Sequence, residues 1–184
     1  LNLTPYVKAG RQNVLAIRLE NPDDASRWYP GGGIYRNVWL VKTSPVHISQ
    51  WGTDIRNNSV NADKAVMEMG VRIENHQESD VQATLHTVIY HQGENGNPTG
   101  EEVARVADKK IDIKKGSWGT ARFNFSVSKP KFWDVDSPHC YVAVNRVFVD
   151  GKEVETYQTS FGIRTAEFTH DNGFMLNGRK VAIK

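Results

Sequence analysis

Three stretches of this chain alternate apolar and polar residues with a period of two, and that period decides the backbone. Ala65, Met67, Met69, Val71 and Ile73 interleave with Val66, Glu68, Gly70 and Arg72. Val81, Ala83, Leu85, Thr87 and Ile89 repeat the pattern, as do Ala121, Phe123, Phe125 and Val127. Successive side chains of a strand point to opposite faces, so each run offers one apolar face to a core. Turn signals separate the runs: Gly93-Glu94-Asn95-Gly96-Asn97-Pro98, Lys115-Gly116-Ser117 and the Asp150-Gly151 of a tight hairpin. Val103 to Lys110 is the best helical candidate, and it lacks both a good cap and a sustained 3.6-residue period. The chain is predicted to be all-β, with strands spaced as in a sandwich.

The 184 residues leave room for one ordinary domain and a partial one, or for two small ones. A boundary falls at Thr43-Ser44-Pro45, where a strand over Val38 to Lys42 ends and proline restarts the chain. Val46 to Phe161 has about the size of an immunoglobulin-like sandwich. The net charge is +2 and the charges are scattered, which argues against a nucleic-acid partner. A mean hydropathy of −0.54 without a long apolar run gives no membrane span. The single cysteine, Cys140, reads as a buried small hydrophobe and cannot form an internal disulfide. Leu1 to Val7 has neither a basic nor a hydrophobic leader pattern, and Val181 to Lys184 stops inside an apolar run, so both ends read as cut.

Three segments carry more than pattern. In the first, Trp28, Tyr29, Pro30, Gly31, Gly32 and Gly33 precede Ile34-Tyr35-Arg36-Asn37-Val38-Trp39-Leu40-Val41. Consecutive glycines between aromatics mark a backbone that needs positive φ or close approach, here feeding a strand. In the second, Pro130 and Pro138 bracket Phe132 and Trp133. We read that loop as pinned to the core by an aromatic plug, with Trp133 largely buried, in preference to a ligand platform. The third is Phe161-Gly162-Ile163-Arg164, followed by Gly173-Phe174-Met175-Leu176-Asn177-Gly178-Arg179, whose Asn-Gly is a strong type I′ turn signal.

Together, in this order and at these separations, the three segments resemble glycoside hydrolase family 2, the β-galactosidase and β-glucuronidase family. There an aromatic, glycine-rich loop and Gly-Ile-Tyr-Arg-Asn-Val-Trp-Leu end the jelly-roll sugar-binding domain. A Pro-x-Leu-Trp…Pro-x-Leu-Tyr pattern precedes the last two strands of the sandwich, and here Phe132 and Cys140 replace the leucines. Phe-Gly-Ile-Arg closes the sandwich, and Gly-Phe-x-Leu-Asn-Gly opens the (β/α)₈ barrel. The resemblance implies truncated jelly-roll strands over 1–42, a complete immunoglobulin-like sandwich over 46–161, and the barrel's entrance hairpin over 162–184. Trp28 to Gly33, Arg36, Trp133, Gly162 and Arg164 are then structural motif residues, with Arg36 a scaffold residue bridging strands or domains through its planar donors.

The catalytic set of such an enzyme is two carboxyl groups about 5–5.5 Å apart, which the family places on barrel strands. The resemblance puts those strands beyond Lys184, so this segment is expected to be inert, without catalytic or substrate-binding residues. Glu94 lacks the family's Asn-Glu order and reads as solvated loop. In β-galactosidases of the family an acid just before the loop tryptophan can reach the sugar, but Ser26 and Arg27 stand there, so no contact is assigned. No cofactor is expected in the segment, whereas the parent's barrel would bind a divalent or monovalent cation. The six histidines are scattered, and His86 and His91, five apart on one strand, point to opposite faces, so no metal residue is assigned. The implied partners are the barrel of the same chain and a carbohydrate substrate. The periplasm or the exterior is favoured over the cytoplasm for the parent. Residues 1–42, lacking partner strands, are expected to lie on the sandwich or to pair with a second copy. The alternative reading is a free-standing carbohydrate-binding or adhesion module, which should begin and end in polar, exposed segments.

Overall fold

The structure is a computed structural model, and it describes residues 1–20, 22 and 33–183. The chain divides into two units, Leu1–Val41 and Lys42–Lys184.

In the first unit no described residue belongs to a strand. Its order is local: the Asn13 amide accepts the N–H of Lys8 and donates to the carbonyls of Lys8 and Arg11. Ile34, Tyr35, Trp39, Leu40 and Val41 are exposed. The strand read over Val38 to Lys42 therefore has no ladder among the described residues. β-prone residues make a strand only when a second chain segment accepts their backbone bonds.

The second unit is built from antiparallel strands, β1 Val46–Val60, β2 Lys64–Asn75, β3 Val81–Gln92, β4 Pro98–Ile113, β5 Ser117–Ser128, β6 Tyr141–Val149 and β7 Lys152–Phe161. One sheet has the order β1-β2-β5 and the other β4-β3-β6-β7, giving a two-layer sandwich. The alternating runs supply its interior. Met67, Met69, Val71 and Ile73 of β2 and Phe123, Phe125 and Val127 of β5 face Leu85 and Ile89 of β3 and Tyr141 and Val147 of β6 in one core. Val103 to Lys110, the helical candidate, lies within β4.

The buried Asn145 and the half-buried Glu155 tie the layers. Asn145 of β6 accepts the Thr87 hydroxyl at 2.7 Å and donates to Thr53 of β1 at 3.4 Å, across the sandwich. At one edge the Glu155 carboxylate of β7 accepts the N–H of Ile48 in β1. Burial pushes the Glu155 carboxyl above its ordinary range, against that hydrogen bond and His47.

Beyond the sandwich, β8 Ala166–Thr169, β9 Gly173–Leu176 and β10 Arg179–Lys180 form a small sheet in the order β10-β9-β8. Asn177 and Gly178 join β9 to β10 with φ of 51° and 76°, the positive pair a type I′ turn requires. Asp150 and Gly151 do the same between β6 and β7, with φ of 51° and 75°.

Candidate functional site

Three of the motif residues meet at the exit from the sandwich. The chain leaves β7 through Gly162, Ile163 and Arg164. Ile163 is fully buried, and its carbonyl accepts the N–H of Trp133 at 2.9 Å. Gly162 passes directly under the indole: a Cβ there would lie 2.7 Å from Cβ and 3.0 Å from Cγ of Trp133. The Arg164 guanidinium stands 4.8 Å from the Trp133 ring, a cation–π distance. Trp133 also forms an isolated antiparallel bridge with Pro138, closing the loop between them.

The side chain at the hairpin turn completes the joint. Asn177 donates from Nδ2 to the Trp133 carbonyl at 2.9 Å and to Asp134 Oδ2 at 3.2 Å. Its Oδ1 accepts the N–H of Thr165 at 3.0 Å, and its own N–H donates to the Thr165 carbonyl. Arg179 reaches Asp134 at 2.7 Å and Asp136 at 3.0 Å. Partial burial pushes the Asp134 carboxyl upward, yet the hydrogen bonds and charge of Asn177 and Arg179 hold it below its ordinary value. Both carboxylates of this loop are thus engaged as acceptors, an arrangement that fixes a hairpin rather than shuttling a proton.

The aromatic plug is divided differently from the sequence expectation. Trp133 is half-buried and Pro138 is exposed, while Pro130 is buried and Phe132 packs on the core. The loop is also pinned by fully buried Tyr141, whose hydroxyl accepts the N–H of Lys131 at 2.8 Å. Trp133 lies on the backbone of Gly162 at the rim, so one side of the indole meets peptide and Arg164 instead of the interior. Cys140 is likewise half-buried.

The other motif residues lie elsewhere. Trp28, Tyr29, Pro30, Gly31 and Gly32 fall outside the described residues. Gly33 has φ of 152°, and no described residue lies within 4 Å of its missing Cβ, so backbone freedom accounts for it. Arg36 is exposed, 5.3 Å from the ring of its neighbour Tyr35, and forms no ion pair with a described residue. Glu94 is exposed in its turn. His86 sits beside Asp108 and Phe148, whereas His91 meets His139 and Tyr141, so β3 does separate the two.

One grouping escapes sequence reasoning. His47, Glu74 and His76 bring three ligand-type atoms within 4.8 Å of one another. His76 Nε2 is 2.9 Å and His47 Nε2 3.9 Å from the same oxygen, Oε2 of Glu74. The two imidazoles are stacked at 5.3 Å. Only the pairing of β1 with β2 brings them together, and that register is not written in either strand alone.

Comparison with known proteins supports the family resemblance. The sequence model of the Glycosyl hydrolases family 2 matches residues 46–164. The chain is 35% identical over 183 residues to the β-galactosidase BoGH2A of Bacteroides ovatus, covering 99% of this chain and 21% of that protein. It is 26% identical over 203 residues to a β-glucuronidase of Formosa agariphila, covering 99% and 20%. Among solved structures, a glycosyl hydrolase family 2 member from Bacteroides cellulosilyticus superposes with a TM-score of 0.84 at 32% identity, covering 97% of this chain and 24% of that one. The chain thus spans about a fifth of the length of the curated relatives it matches.

Proposed function

Since the chain belongs to the glycosyl hydrolases family 2, we propose that it is a non-catalytic part of a retaining β-glycosidase, β-galactosidase-like, acting on terminal β-linked sugars. The joint at Trp133, Gly162 and Asn177 is the observation that carries this reading. It is built to hold the start of whatever follows β7 in one orientation, which is the task of a spacer between a sugar-binding domain and a barrel. Residues 1–42 would be the last strands of that sugar-binding domain, and their exposed apolar residues would be covered by its other strands. The hairpin over 162–184 would open the barrel. Its groove of about 300 Å³, lined by Phe168, Phe174, Val181 and Ile183, would receive barrel side chains. The carboxylate pair would come from barrel strands outside these residues. The higher identity to the β-galactosidase than to the β-glucuronidase favours a galactoside over a glucuronide.

The test uses the 184-residue chain and the product of its whole reading frame, each assayed on nitrophenyl β-galactoside and β-glucuronide. The whole product is expected to release nitrophenol from the galactoside with retention at the anomeric carbon, and the 184-residue chain to show none above background. Turnover by the short chain, abolished by replacing one of its own acids, would overturn the proposal. So would a reading frame that ends at Lys184.

A further inference from the structure

We propose that His47, Glu74 and His76 form a binding site for one divalent transition-metal ion of the zinc class, with a water completing the coordination. The backbone makes the grouping unavoidable. β1 and β2 place His47 directly opposite Glu74, while the next pair, Val46 and Asn75, has its side chains buried. The N–H of His76 donates to the Pro45 carbonyl at 2.9 Å, extending the ladder one step past Asn75. Glu74 and His76 are two residues apart on that extended segment and so share a face.

Each inner ligand is oriented by a neighbour through the atom it would not use on a metal. Nδ1 of His47 lies 2.9 Å from the Ser44 carbonyl, an acceptor, so Nδ1 carries the proton and Nε2 presents its lone pair. Oε1 of Glu74 accepts the Ser49 hydroxyl at 2.7 Å, leaving Oε2 for the centre of the group. With its Nε2 unprotonated, His47 aims a lone pair at Glu74 Oε2, itself an acceptor, 3.9 Å away. A cation between them resolves that opposition.

Size and chemistry select the ion. Metal–ligand bonds of about 2.0–2.1 Å at tetrahedral angles need ligand atoms roughly 3.3 Å apart. The 2.9 and 3.9 Å separations bracket that value. Two imidazoles and one carboxylate suit zinc, copper or nickel, and not calcium or magnesium, which take oxygen ligands. The His76 side chain is 56% exposed against 15% for His47, so the open position faces water and an ion can enter without unfolding the strands.

The experiment is a calorimetric titration of the metal-free 184-residue chain with Zn²⁺ at neutral pH, followed by Co²⁺ as a colour probe. One equivalent of zinc should bind, raise the melting temperature and leave with a chelator. Cobalt should give the intense visible bands of a four-coordinate site. His76→Ala, an exposed substitution that leaves the ladder bond of its backbone intact, should weaken zinc by more than about a hundredfold and abolish the cobalt bands. Ser49→Ala keeps all three ligands and should weaken zinc roughly tenfold or more, the effect of losing an orienting partner. His86→Ala should change neither. Failure of zinc to bind, or equal affinity in the parent chain and His76→Ala, would overturn the proposal. The result is independent of glycosidase activity.

Discussion

Replacing Gly162 by alanine tests whether the exit from the sandwich is as tightly built as its distances imply. The new Cβ would lie 2.7 Å from Trp133 Cβ, 3.0 Å from Cγ and 3.2 Å from Cδ1. Trp133 cannot easily withdraw, because its N–H is bonded to Ile163 and its carbonyl to Asn177, both at 2.9 Å. Overpacking of this kind costs about 1–3 kcal/mol. Loss of glycine's freedom in the unfolded chain offsets about 0.4–1 kcal/mol of it. The middle of those ranges is a net destabilisation of about 1.3 kcal/mol, read by urea denaturation, or a fall of about 3–5 °C in melting temperature for a chain this long. The shortest contact is Cβ to Cβ, and an alanine at 133 keeps that atom. The penalty of Gly162→Ala should therefore survive in a Trp133→Ala background and disappear only with Trp133→Gly. A change within about 0.5 kcal/mol, the scale of an unconstrained surface site, would refute the close approach. Disappearance of the penalty in Trp133→Ala would refute its assignment to the backbone-held Cβ.

Asn177→Ala should loosen the hairpin without melting the sandwich, because it removes the amide that bonds Trp133, Asp134 and Thr165 and puts alanine at a φ of 51°. A cost of about 1–3 kcal/mol is expected, seen as faster hydrogen exchange over 166–180 while β2, β3 and β5 stay protected; unchanged exchange in the hairpin would show that the amide does not hold it. His91 and His139 both have pKa values lowered from 6.5, first by burial and then by nearby Lys131, with His139 also acting on His91. The folded chain thus binds fewer protons here than the unfolded one. Stability should be lost as pH falls below the ordinary histidine range towards the lowered values, and His91→Phe should flatten that part of a melting-temperature profile; an unaltered profile would count against this cause.

Strands were legible where one face alone is buried. Ala65 to Ile73, Ala83 to Ile89 and Ala121 to Val127 show it because each runs straight past a core. β4 was obscure for the opposite reason. It is an edge strand, mostly exposed, and its pairing with β3 shifts register at three points, so no clean period survives in its sequence. β1 is interrupted in the same way between Ile48 and Thr53, where Trp51 stands exposed with φ of 54°. The Asn177-Gly178 turn was readable because few residue pairs tolerate two positive φ values. What Asn177 does with its side chain was not, since its partners come from a loop more than forty residues earlier in the chain. The burial of Trp133 was overestimated because size and flanking prolines signal packing without saying whether the surface packed against is core or backbone. His47, Glu74 and His76 were invisible because a one-residue slip of β1 against β2 would put His47 on the other face.

The contrast between the interior and the exit of the sandwich bears on what the second unit is for. Its core is assembled from side chains such as Met67, Met69, Leu85 and Phe125, for which other apolar residues of similar volume would serve. Its exit is assembled from residues with little such latitude. Gly162 is required by a 2.7 Å approach, Asn177 by a positive φ together with an amide satisfied on both ends, and Arg179 by two carboxylates. Asn177 and Arg179 bond the hairpin to Trp133, Asp134 and Asp136 of the sandwich loop. A substitution at residue 177 is therefore expected to loosen the hairpin against the sandwich loop. If the proposed spacer role holds, the unit would act on catalysis through orientation alone, since a displacement of about 1 Å at reacting groups can cost a hundredfold in rate.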